Sequence, residues 1–126
     1  MIWRDPSDEE RSLLLAVIVH HSNESEKDKF IIDLNSVVVA DMQDGGMNSL
    51  RLAVKEPNGE IRSGDRFSRA ICDLMSSDVD GIPVSLVINL DEDSNLFELD
   101  IWRVDYSPLH SVSVLKNNLR TTAGAE

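Results

Sequence analysis

Glu98, Asp100 and Trp102 alternate with Phe97, Leu99 and Ile101 in the run LFELDIWRVDYSPL, residues 96–109. Residues two apart on a strand share a face, so the two carboxylates stand roughly 7 Å apart at their Cα atoms. Paired carboxylates at such separations can run a hydrolase, one as acid and the other as base or nucleophile. Asp41, Asp44 and Asp105 extend the inventory toward a small hydrolase or a metal-dependent enzyme using clustered carboxylates. The same spacing also arises in any acidic strand that only faces water. An indole beside two acids has a third use: it can anchor a basic or aromatic partner, because tryptophan often dominates interface energy.

Other chemistries find less support. DEDSN, residues 91–95, offers oxygen ligands for a hard cation, but the EF-hand order fails: Trp102 stands where the twelfth-position glutamate belongs. Zinc needs three or four suitably spaced ligands. His20, His21, His110 and Cys72 are the candidates, and the adjacent histidines suit a helix C-terminus, where positive charge complements the dipole. Cys72 sits among Ala70, Ile71 and Leu74, the setting of a small buried hydrophobe. DGGMNS, residues 44–49, lacks the phosphate-loop lysine and joins strand to strand. Its two glycines beside Met47 make Asp44 and Met47 a candidate contact loop. No metal site and no cofactor is expected.

The elements that must carry these groups follow from periodicity. Ser7 and Glu10 have capping-box spacing, and Leu13, Leu14, Val17 and Ile18 form an apolar stripe, which predicts a helix over 7–20. Asn23 and Glu26 repeat the signal ahead of Phe30, Ile31 and Leu34, a second helix over 24–34 that would complete a helical hairpin. The period then changes to two. Strands are expected at 37–42, in NSLRLAVK, in VSLVINL and in LFELDIWRV, with Asn58-Gly59 the strongest hairpin turn. Residues 65–76 fit helix or strand. The sum is an α+β domain: an N-terminal helical hairpin on a mostly antiparallel sheet of four to five strands, spanning 1–116, with 117–126 a flexible tail.

Hairpin geometry decides which way the acids point. A turn centred on Asp93 and Ser94 sets Leu90 opposite Phe97, Ile88 opposite Leu99, Leu86 opposite Ile101 and Val84 opposite Arg103. Asn89 then faces Glu98, Val87 faces Asp100 and Ser85 faces Trp102. Opposed residues share a face. A one-residue slip would bury both carboxylates, at several kcal/mol. Phe97, Leu99 and Ile101 are therefore expected in the core, with Glu98, Asp100 and Trp102 on the other face.

The whole chain sets the bounds. Its 126 residues suit one domain, and its net charge is −11, from 12 basic and 23 acidic side chains. That field repels nucleic acid and anionic lipid and attracts a basic protein partner. No stretch approaches 18 uncharged apolar residues. One cysteine cannot form an internal disulfide, and MIWRDPSDEERS lacks the pattern of a secretory signal, so a cytoplasmic setting is expected.

Three segments carry a resemblance: residues 44–50, 80–85 and 96–109. They resemble a family of small bacterial proteins of unknown function with a DGGMGSL-like turn, a DGVPVS segment and an LFELDIWKVDFSPL-like end. Asn48 stands in place of the third motif glycine, Arg103 in place of lysine and Tyr106 in place of phenylalanine. The resemblance implies a self-contained bacterial domain and supplies no catalytic residues. Immunity proteins that cap toxic effectors are similarly small and acidic, an analogy of charge and size only. The leading expectation is a non-enzymatic protein-interaction domain, immunity-like in character, docking through Trp102, Asp100, Glu98, Asp44 and Met47. A structural homodimer is the further alternative.

Overall fold

The computed structural model describes residues 1–121. The Ser7 hydroxyl accepts the Glu10 N–H at 3.1 Å, and the Glu10 carboxylate accepts the Ser7 N–H at 2.8 Å. This reciprocal cap starts α1, Asp8–Ile18. Asn23 caps α2, Glu24–Asp33, by accepting the Glu26 N–H at 3.0 Å. What the structure gives of the expected hairpin is two consecutive helices. Leu13, Leu14, Val17 and Ile18 from α1 and Phe30 from α2 enter the same core.

Seven strands follow: β1 (Val37–Asp41), β2 (Leu50–Lys55), β3 (Ile61–Arg62), β4 (Phe67–Ser77), β5 (Pro83–Asp91), β6 (Leu96–Arg103) and β7 (Arg120–Thr121). They form one sheet in the order β1-β2-β6-β5-β4-β7, with β3 also paired to β2, and every pairing is antiparallel. The sheet is larger than the four to five strands expected. β3 and β7 have two residues each, too few to show a period. Residues 65–76 resolve as most of β4, whose two register shifts hide the alternation that would have marked a strand. Of residues 117–126, those up to 121 form the end of a 3-10 turn, Leu115–Asn118, and β7. Residues 122–126 lie outside the described residues.

The β5–β6 register has Ile88 opposite Leu99, Leu86 opposite Ile101, Val84 opposite Arg103, Asn89 opposite Glu98, Val87 opposite Asp100 and Ser85 opposite Trp102, as expected. One end differs. A bulge sets Leu96 opposite Leu90, so Phe97 becomes the extra residue. Leu96 takes the core position foreseen for Phe97. Phe97 is still buried, but under the Arg51 guanidinium, 4.0 Å from the ring centroid. Parity counted from a loop cannot detect a bulge, because the extra residue reverses every side chain beyond it.

Leu86, Ile88, Leu99 and Ile101 form the centre of the core with Leu52, Leu74 and the helix stripes. Ile88 is fully buried at the middle of β5. Ile88→Ala is expected to lower the free energy of unfolding by about 3 kcal/mol, read from urea denaturation; a loss under about 1 kcal/mol would show that this centre is not the core.

Candidate functional site

The loop 44–49 is built by its own side chains. Asp44 accepts the N–H groups of Met47 at 3.1 Å and Ser49 at 2.8 Å. Gly45, Gly46 and Asn48 all adopt positive φ, of 75°, 84° and 67°. Glycine or asparagine is tolerated at such a backbone position and a β-branched residue is not, so Asn48 suits its place. A Cβ on Gly46 would meet the Pro108 ring at 3.0 Å, and the Leu109 N–H donates to the Gly46 carbonyl. The loop thereby docks on the segment after β6.

Ser49 and Met47 then take the place of a backbone ladder. The β2–β6 pairing covers only Leu50 with Leu99 and Arg51 with Glu98. Beyond it, the Ser49 hydroxyl accepts the Ile101 N–H at 2.8 Å and donates to the Ile101 carbonyl at 3.0 Å. The Met47 sulfur accepts the Arg103 N–H at 3.4 Å. Met47, expected as an exposed contact, is buried. Its side chain is needed inside because β6 otherwise has an unpaired donor there.

The same strand delivers Arg103, which the sequence reading passed over. Arg103 is 3% exposed and ends the core-facing row of β6. Its guanidinium donates to Asp78 at 2.8 Å, to Asp80 at 2.9 Å, and through two nitrogens to Asp105 at 3.0 and 2.8 Å. Asp78 also accepts the N–H groups of Val79, His110 and Ser111. Burial pushes the Asp78 carboxyl upward, yet these donors overcome it and hold the group below its ordinary range. Asp80 is likewise held low by the Ile82 N–H and Arg103, which outweigh its desolvation. Arg103 itself holds Asp105 far down. The one signal was the expected register, which put a charged residue opposite Val84 on the apolar face; of its three aspartates only Asp105 is close in sequence.

On the outer face, Asn89 Nδ2 donates to Glu98 at 3.2 Å and to Asp100 at 2.9 Å. Both carboxyls lie above their ordinary values. Burial raises Glu98 and the neighbouring Asp100 charge adds to it. Burial also raises Asp100, and the Asp44 charge adds to that despite the Asn89 bond. Trp102 is 36% exposed on the same face. The three acids that would extend the Glu98–Asp100 pair toward hydrolysis have separate structural partners. Asp41 pairs with Arg4 at 2.7 Å, Asp105 with Arg103, and Asp44 holds its own loop.

The remaining candidates resolve as structure. Cys72 is buried in the core and its thiol is pushed up to about 11 by burial, so it is a poor nucleophile. His20 and His21 follow the end of α1, with their N–H groups on the Val17 and Ile18 carbonyls, and the buried His21 ring bonds Glu26 in the first turn of α2 at 2.9 Å. Asp91 accepts the N–H groups of Asp93 and Asn95, so the acidic run closes its own turn. Asp78, Asp80 and His110 bring ligand atoms within 4.8 Å of one another. Arg103 occupies that space, with one nitrogen on both aspartates. A cleft of about 440 Å³ between the start of α1 and residues 110–113, and another of about 390 Å³ beside β1, are not lined by Glu98, Asp100 or Trp102.

Arg103→Leu leaves Asp78 buried without its cation and is expected to lower the unfolding midpoint by about 10 °C or more. Arg103→Lys, a point charge without the fork, falls between the two. Equal midpoints by calorimetry would remove Arg103 from its structural role. The pH dependence has two signs. The depressed Asp78, Asp80 and Asp105 contribute stability that is complete above about pH 4 and lost as pH falls through their lower folded values. The raised Glu98 and Asp100 contribute stability only below about pH 4, lost as pH rises through their raised values. Glu98→Gln and Asp100→Asn should therefore raise the midpoint at pH 7, and the gain should vanish near pH 3.5; a midpoint unchanged or lowered at pH 7 contradicts this.

No curated protein and no solved structure matches the chain. The loop 44–49, the turn after β4 and the end of β6, the segments that carried the resemblance, meet around Arg103. Residues 3–113, which include all of them, match the family described as Domain of unknown function (DUF6984), and the chain belongs to that family.

Proposed function

We propose that the domain is a non-enzymatic protein-interaction module whose outer sheet face docks a basic protein partner. One observation carries the reading. Glu98 and Asp100 are half-buried, share a single amide, and form no ion pair among the described residues. Folding keeps two carboxylates partly dry and close together, against their desolvation and mutual repulsion. A lysine or arginine from a partner would supply the missing counter-charge. Binding sites commonly hold such locally unfavourable arrangements.

Trp102 supplies apolar area beside the acids, and the net charge of −11 favours fast encounter with a basic surface. Asp44 contributes from behind, through its field on Asp100. Met47 serves the face only by holding the loop. The immunity-like form of this reading makes the partner a basic toxin domain in the cytoplasm, and a toxin gene beside this one would favour it.

The test is co-purification from the native host with tagged wild type and with a Glu98→Gln/Asp100→Asn/Trp102→Ala variant whose folding is verified. The expected result is a basic protein retained by the wild type, lost by the variant, and released between about 0.05 and 0.3 M salt, where screening tightens. Identical partners for both proteins would overturn the reading.

A further inference from the structure

Two turns at one end of the sheet are tied together by Arg103. The first, residues 78–82, supplies Asp78 and Asp80; the second, residues 103–107, supplies Asp105. Each turn presents apolar side chains to solvent: Val79 is 59% exposed, Val104 47% and Tyr106 81%. Tyr106 has φ 61°, a left-handed backbone region that an aromatic residue enters only under strain. Its turn is closed by the Tyr106 N–H on the Arg103 carbonyl at 3.0 Å, and Asp105 accepts both the N–H and the hydroxyl of Ser107. The ring is therefore carried on a fixed backbone, so little order has to be gained when it is covered.

The charge around it specifies what can cover it. One guanidinium meets three carboxylates here, a local balance of −2, and Asp80 and Asp105 each keep more than a third of their side chain in water. Trp102, Glu98 and Asp100 continue from the same strand end. Asp105 precedes Tyr106 in the chain, and Asp80 is held by the same guanidinium whose residue closes the Tyr106 turn. An exposed aromatic ring in an acidic turn suits a guanidinium or ammonium group, through the ring quadrupole and the nearby negative charge together.

Resting on the docking reading above, we propose that Tyr106, with Val104 and Val79, extends the surface around the end of the sheet as an anchor. It receives an arginine-bearing basic segment of the partner protein, in which apolar side chains flank the arginine and cover the two valines.

The probe is an acetylated octapeptide of alternating arginine and leucine, titrated into the full chain at low salt by calorimetry, with the alternating glutamate and leucine peptide as control. Tyr106→Gly is the decisive variant, because glycine relieves the positive φ and should fold at least as well while losing the ring. The expected result is binding about tenfold weaker for Tyr106→Gly and Tyr106→Ala, near wild-type binding for Tyr106→Phe, and no effect of Ile32→Ala on the remote face of α2. Unchanged affinity in Tyr106→Gly overturns the anchor. So does a wild type that ignores the arginine peptide at about 1 mM or binds the glutamate peptide equally. If Tyr106→Gly is unchanged while Glu98→Gln/Asp100→Asn weakens binding, the anchor fails and the docking face survives. The reverse pattern supports the anchor and removes the acids.

Discussion

A buried guanidinium at the end of β6 is the constraint on which this end of the molecule depends. Arg103 follows Leu99 and Ile101 along the core-facing row, where the apolar layer runs out. A charge there cannot stay unpaired, because its desolvation exceeds what packing can return. Three aspartates from two turns answer it, and one of them, Asp78, gathers three backbone N–H groups as well. Loops that have no secondary structure of their own are thereby fixed to the sheet. The 44–49 loop joins them through Met47 on the Arg103 N–H and Gly46 against Pro108.

The acids of this protein thus divide into two electrostatic classes. Those around Arg103 are charged and each is hydrogen-bonded to its guanidinium, and they act as structural ties. Glu98 and Asp100 are close by in sequence yet uncompensated, and their carboxyls shift in the other direction. The difference comes from strand parity. Even-numbered positions of β6 from 98 to 102 face outward, away from Arg103, where Asn89 and the charge of Arg51, opposite Glu98 on β2, moderate the acids. This raised, half-buried pair sets the outer face apart from the acids around Arg103, and the proposed docking rests on that difference.

Much of the candidate face is legible in the sequence. The cost of burying two carboxylates was enough to choose the β5–β6 register, and that choice located Glu98, Asp100 and Trp102 correctly on one face. Both helix starts could be read from Ser7, Glu10 and Asn23, because capping is local chemistry. Phe97 was misassigned because a bulge leaves no mark on alternation over so few residues. Met47 looked exposed because a methionine beside two glycines reads as loop, while its real function is to accept an N–H from a strand 56 residues later. Arg103 stood on the apolar row of the expected register, but a lone basic residue at a strand end has no local signature of burial.

The sequence by itself determined the α+β class, the cap-defined helices and the parity of β6, since each follows from interactions within a few residues or from a period of two. Only the tertiary structure decided that Met47 is internal, that Phe97 lies under Arg51, and that Asp78, Asp80 and Asp105 converge on one guanidinium. Those outcomes depend on which distant segments meet. A charge or a sulfur acquires its role from the partner that arrives, and the chain order alone does not say which partner that is.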